Sequence, residues 1–139
     1  MKQKKVYISG RISSLPKDQY MKMFNIAASM LRKAGFIPVN PTHFWLCKWY
    51  SKLEWLLGEE MAYRIVLLYD LWRLMRCDMI YKIPGWQQSK GANIESCVAY
   101  HFKIWPVVLK QRGKIDKQME KLMLKYNKQQ ENENNGRQL

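Results

Sequence analysis

Met79-Ile80-Tyr81-Lys82-Ile83-Pro84-Gly85-Trp86-Gln87-Gln88-Ser89-Lys90-Gly91-Ala92-Asn93-Ile94-Glu95 is the stretch that decides the fold. An apolar run of strand length ends at a Pro-Gly turn, and a helix-like segment begins at Lys90 and continues to Lys103. The order is strand, Gly-rich turn, helix. In open α/β sheets such turns sit at the carboxyl ends of strands, where ligands bind. Glu95 falls in the first turns of that helix, so its carboxylate would face the crevice.

Working outward, the same order recurs at the start of the chain. Residues 5–9 read as a first strand and 10–16 as a loop. A helix is expected over 17–34, with Tyr20, Phe24, Ala27, Leu31 and Ala34 as its apolar seam and Gly35 as its stop. A second strand covers 36–40 and ends at Pro41. Residues 42–52 are aromatic and irregular, suited to a lid or an interface. A helix over 59–76 carries two seams, one of Met61, Ile65, Leu68, Trp72 and Met75 and another of Leu67, Leu71 and Leu74. It therefore packs on the sheet and also on something else, such as a second subunit.

Beyond the third strand at 79–83 and its helix, a fourth strand is expected at 104–109. The last helix spans 115–128. Ile115, Met119, Leu122 and Tyr126 face inward there, and Lys114, Lys117, Lys121, Lys125 and Lys128 face outward. This alternation of strand and helix predicts an α/β fold: a single-domain three-layer sandwich with a parallel, flavodoxin/Rossmann-like sheet of four to five strands. The domain would occupy 1–128, and the Asn/Gln/Glu-rich residues 129–139 would form a disordered polar tail.

Composition narrows the class. A chain of 139 residues is long enough for one domain with its own core. Six Trp, eight Tyr and nine Met exceed what a core of this size needs, so some should cover a pocket or a homo-oligomer interface. The formal charge of +13 points to anionic partners. No dedicated nucleic-acid motif accompanies it, so a nucleic-acid partner is not expected. Cys47, Cys77 and Cys97 form no metal-binding pattern and fit a reducing cytoplasm. The most apolar run, 61–75, is interrupted by Arg64, Asp70 and Arg73, so no membrane partner is expected.

Taken singly, the chemistry-bearing residues are ambiguous. The loop Ser9-Gly10-Arg11-Ile12-Ser13-Ser14 could hold a phosphate on its backbone N–H groups, on Ser hydroxyls and on Arg11, or it could be a polar turn with a capping serine. Glu95 could be a nucleophile or base, or a charge favoured by the helix dipole. Asp70 interrupts an apolar helix and could simply pair with Arg73 or Arg76. Asp78 reads as a structural residue at the opposite end of the sheet, and Cys97 as a small packed side chain.

In combination these residues are more specific. Tyr7-x-x-Gly10 with Arg11-Ile12-Ser13, then Asp70-Leu71-x-x-Leu74-x-x-x-Asp78, then Pro84-Gly85-Trp86 and Ser89-x-Gly91-x-x-x-Glu95-x-x-x-Ala99 occur in a fixed order. With these motifs the chain resembles the nucleoside 2-deoxyribosyltransferase-like superfamily. Within it, the likeness is nearest to deoxynucleoside 5′-monophosphate N-glycosidases and uncharacterised phage-type relatives. The resemblance covers residues 6–109.

It implies Glu95 as the nucleophile at C1′ of a deoxyribosyl group. Asp70 would be the second active-site carboxylate, and Tyr7 an orienting hydroxyl. Ser89 would contact the 5′ substituent, with Gly91 beside it, and Gly10, Arg11, Ile12 and Ser13 would form the phosphate loop. The substrate would be a deoxynucleotide or deoxynucleoside. The reaction would be hydrolysis of the base–sugar bond or transfer of the sugar, with no metal or organic cofactor. The location would be cytoplasmic, in the host if the chain is phage-encoded. A non-catalytic nucleotide-binding protein of the same fold is the alternative. Cys97 and Ser13-Ser14 stand where these relatives often have glycine.

Overall fold

The computed structural model describes residues 2–12, 15–43, 48–107 and 112–137. Four strands form one sheet: β1 (Lys5–Ser9), β2 (Ile37–Val39), β3 (Met79–Lys82) and β4 (Trp105–Pro106). Their order is β2-β1-β3-β4, and every pairing is parallel. The helices are α1 (Lys17–Lys33), α2 (Tyr50–Leu57), α3 (Glu59–Met75), α4 (Lys90–His101) and α5 (Arg112–Arg137). The chain is thus an α/β sandwich of the flavodoxin/Rossmann-like type.

Alternation along β1 divides the core in two. Val6 and Ile8 point to one face, where they pack with Tyr81, Ile83, Phe24 and Leu31 of α1, and Met119 of α5. Tyr7 points to the other, against Ile80, Leu74 of α3 and Ala99 of α4. α1 and α5 therefore cover one side, and α3 and α4 the other. A helix on each face is what right-handed crossovers demand when the chain moves from β1 outward to β2 and then back past β1 to β3. The strand order reverses between β1 and β3, which makes their carboxyl ends the topological switch point.

Local chemistry explains the boundaries. α1 ends where Gly35, at φ 88°, lets the Gly35 and Phe36 N–H groups return to the carbonyls of Arg32 and Leu31. Asp78 clamps the start of the sheet: its Oδ2 accepts from the Lys5 N–H at 2.8 Å, and its own N–H donates to the Lys5 carbonyl.

Several expectations need correction. Within the 42–52 segment, α2 begins at Tyr50 and runs on to Leu57; residues 44–47 lie outside the described residues. α5 continues through Arg137, so a helix occupies most of the stretch expected to be a disordered tail. Gln129, Gln130, Glu131, Glu133 and Arg137 are good helix formers and no proline intervenes, although Asn132, Asn134, Asn135 and Gly136 are weaker ones. The fourth strand is only two residues long, and residues 108–109 lie outside the described residues. Cys97 is exposed on α4 rather than packed.

Of the two seams on α3, Leu74 is buried and Leu71 packs with it, while Met61, Leu68, Trp72 and Met75 are exposed. Among the described residues, no helix is long and apolar enough to cross a membrane.

Candidate active site

Alternate positions of β1 place Tyr7 and Ser9 on the face covered by α3 and α4, at its carboxyl end. Glu95 approaches from the second turn of α4, the helix that follows β3. The Tyr7 hydroxyl donates to Glu95 Oε1 at 2.9 Å, and the Ser9 hydroxyl donates to Oε2 at 2.5 Å. Both carboxylate oxygens are thus fixed from one strand. Tyr7 and Ser9 are fully buried, and Glu95 retains 7% exposure.

The electrostatics follow from this burial. Loss of solvent pushes Glu95 up to about 7, against the opposing effect of the Ser9 and Tyr7 hydrogen bonds. Asp70, on α3, is pushed up to about 8, by burial first and by the Glu95 charge second. The Tyr7 phenol is raised well above its ordinary value by burial, then by Glu95 and Asp70. Both carboxyls therefore hold protons far more readily than in ordinary surroundings, and they titrate as a coupled pair around neutrality. Asp70 does not sit in a simple helix-surface ion pair: it is buried, and its Oδ1 has no hydrogen-bond partner among the described residues. Arg76 instead lies over the Trp72 ring, 4.8 Å from its centre.

The two loops at the switch point meet. Arg11, just after β1, donates from Nη1 to Gln88 Oε1 at 2.7 Å, joining the first loop to the turn after β3. That turn needs Gly85, whose φ is 89°. Ser89 is the N-cap of α4: it is buried, and its hydroxyl accepts from the Ala92 N–H at 3.3 Å. In this arrangement the Ser89 hydroxyl serves the helix start.

Gly10 has a packing reason to be glycine. A Cβ there would lie 3.1 Å from Ile83 Cβ and 3.2 Å from Phe24 Cζ. At Gly91 a Cβ would meet only ordinary contacts, the nearest being the Tyr63 hydroxyl at 3.5 Å. Ile12 is partly buried against the α1-side core. Ser13 lies outside the described residues.

The structure therefore brings Tyr7 and Glu95 together, sets Asp70 within their electrostatic reach, and places Arg11 at the rim. Two participants escaped the motif reading. Ser9 was visible in principle, because a two-residue period puts it on the same face as Tyr7. Gln88 gave no signal beyond its position in a turn. Among the described residues, no group of three or more His, Cys, Asp or Glu side chains is arranged to hold a metal ion.

Fold and site together define a parallel α/β sandwich with a buried carboxylate at the β1/β3 switch point. The chain matches the model for a domain of unknown function, DUF4406, over residues 4–108, and belongs to that family. That span runs from the start of β1 through β4 and contains Tyr7, Ser9, Asp70 and Glu95. No curated protein and no solved structure matches the chain.

Proposed function

We propose that this protein is an N-glycosidase of the nucleoside 2-deoxyribosyltransferase-like type. It would cleave the bond between base and deoxyribose in a deoxynucleoside 5′-monophosphate. Two hydroxyls donating to opposite oxygens of one buried carboxylate carry this reading. Such donors hold Glu95 in one orientation and favour its ionised form, as a carboxylate nucleophile requires.

In the proposed reaction, a Glu95 oxygen attacks C1′ of the sugar. The C1′–N bond breaks, and its electron pair leaves with the base. Asp70, in its acid form, donates a proton to that base. A glycosyl ester on Glu95 results. Water then attacks C1′, Asp70 takes the water's proton, and the ester bond returns its electrons to Glu95. Sugar phosphate leaves, and both carboxyls regain their starting states. The logic is that of a retaining glycosidase. Arg11 at the rim and the net charge of +13 favour a phosphorylated substrate. If a second base replaces water, the same intermediate gives sugar transfer.

Chromatographic product analysis with the deoxynucleoside 5′-monophosphates and the corresponding nucleosides tests this reading. Free base should appear with the wild type and not with Glu95→Ala. Nucleotide binding without any turnover would instead favour a nucleotide-binding protein of the same fold.

We further infer that the chain forms a homo-oligomer. Trp55 at 85% exposure, with Leu56 and Leu68 at 66%, leaves an apolar surface on α2 and α3 that a second copy would cover. Sedimentation equilibrium that returns a monomer would remove this inference.

A further inference from the structure

A cavity of about 480 Å³ opens beside the edge strand β2, on the side of the sheet covered by α3. None of Tyr7, Ser9, Asp70 or Glu95 lines it. Ile37 and Val39 share the β2 face that looks toward α3, because Ile37 pairs with Lys5 and Val39 with Tyr7. They give the cavity an apolar floor, with Pro38 between them. Cations surround this floor: Lys5 from β1, Arg32 from the last turn of α1, and Arg73 and Arg76 from the end of α3. Among the described residues no Asp or Glu lines it; Asp78 stands next to it, with its Oδ2 on the Lys5 N–H. Burial raises the Cys77 thiol to about 11, so it lines the cavity as a neutral group.

The cations converge from three separate elements, which sets them apart from a solvated charge run along one helix. Part of their role is to offset the partial negative charge at the carboxyl ends of α1 and α3. That role accounts for Arg32, Arg73 and Arg76 but not for Lys5, which stands at the first position of a strand. Strand addition to β2 does not explain the groove either. Ile37 donates its N–H to the Lys4 carbonyl, just before β1, so Pro38 occupies the outward position and offers no N–H to a new strand. The volume lies within the range of small-molecule sites.

We propose that this cavity is a second ligand site, separate from the Glu95 centre, for a small anion that carries a chain of phosphates. The cations would take the phosphate chain, and the Ile37–Val39 floor would accept an apolar or planar group attached to it. A nucleoside triphosphate combines both parts; a free oligophosphate supplies only the first.

Isothermal titration calorimetry at fixed ionic strength, with inorganic tripolyphosphate and with ATP, tests the proposal. The full chain carries Arg11→Ala throughout, so that the loop near Glu95 does not contribute. Saturable binding of one tripolyphosphate per chain is expected. Arg32→Glu/Arg76→Glu should weaken it by about tenfold or more. Lys121→Glu/Lys125→Glu, an equal charge change on exposed positions of α5, should leave it within about twofold. If the cavity pair does not fold, as judged by circular dichroism, Arg32→Gln is read in its place, with a smaller loss expected.

Tighter binding of ATP than of tripolyphosphate would assign the floor to the nucleoside, whereas equal binding would make the phosphate chain the whole ligand. Non-saturating binding, or equal weakening by both charge pairs, would overturn the proposal. So would binding of a single-stranded oligonucleotide with none of tripolyphosphate.

Discussion

The Tyr7 hydroxyl reaches Glu95 Oε1 at 2.9 Å across 88 positions of sequence, and Ser9 reaches the other carboxylate oxygen from two residues further along the same strand. One face of β1 therefore governs both the orientation and the proton affinity of Glu95. Removing either donor should raise the Glu95 pKa further, because both hydrogen bonds lower it. Ser9→Ala is expected to shift the acidic limb of the pH–rate profile upward by about one unit, and Tyr7→Phe by less. The profile of kcat against pH for the two variants checks the order; an unmoved limb would sever Glu95 ionisation from these hydroxyls.

The wild-type profile itself should be narrow. The proposed step needs Glu95 ionised and Asp70 protonated, so activity should rise through about pH 7 and fall through about pH 8. Asp70→Asn should abolish the alkaline limb along with most of the rate. An unchanged alkaline limb in that variant would assign the acid to another group.

Stability should move with pH in a defined direction. Asp70 and Glu95 ionise near 3.8 and 4.5 in ordinary surroundings but near 8 and 7 in the fold. Between these limits the folded chain holds more protons than the unfolded one, so unfolding free energy falls as pH rises. Their contribution is fully present below about pH 4 and lost by about pH 8. Asp70→Asn should flatten this fall and exceed the wild type in stability by a few kcal/mol, on the order of 2–4, near pH 9. Urea unfolding at a series of pH values gives the comparison.

The two glycines should behave oppositely. Gly10→Ala forces a methyl against Ile83 Cβ and Phe24 Cζ, both in the buried core, and should cost about 1–3 kcal/mol. Gly91→Ala meets open enough space within α4 and should be neutral or stabilising by up to about 1 kcal/mol. Denaturant midpoints of the two variants decide between packing and backbone freedom as the reason for each glycine.

Arg11→Ala removes the bridge to Gln88 between the two loops. The expected result is a higher KM for a deoxynucleoside 5′-monophosphate, with little change for the unphosphorylated nucleoside. Equal effects on both substrates would make Arg11 a loop fastener with no phosphate contact.

Much of this arrangement was legible in the sequence because it depends on local periodicity. The turn at Pro84-Gly85 marks where β3 hands over to α4, and Gly35 marks where α1 hands over to β2. The two-residue period of β1 then sends Tyr7 toward the helices that carry Asp70 and Glu95. What escaped depends on long-range contacts or on weak local preferences. Ser9 is legible as the end of the first strand, but its bond to Glu95, 86 positions away, is formed only by the fold. Gln88 acquires its partner only through folding. α2 was missed because Trp49, Trp55, Leu56 and Leu57 are exposed in the chain, so no inward-facing seam marks the helix. The polarity of the stretch after Lys128 points to a tail outside the fold, whereas α5 runs on to Arg137.

The most direct test of Glu95 as a nucleophile is to trap its ester. The protein would be mixed with a deoxynucleoside 5′-monophosphate, quenched rapidly in acid, digested and analysed by mass spectrometry. A deoxyribosyl 5-phosphate adduct on the peptide containing Glu95, absent from Glu95→Gln, is the predicted result. Base release without an adduct, at a rate that Glu95→Gln leaves intact, would contradict it.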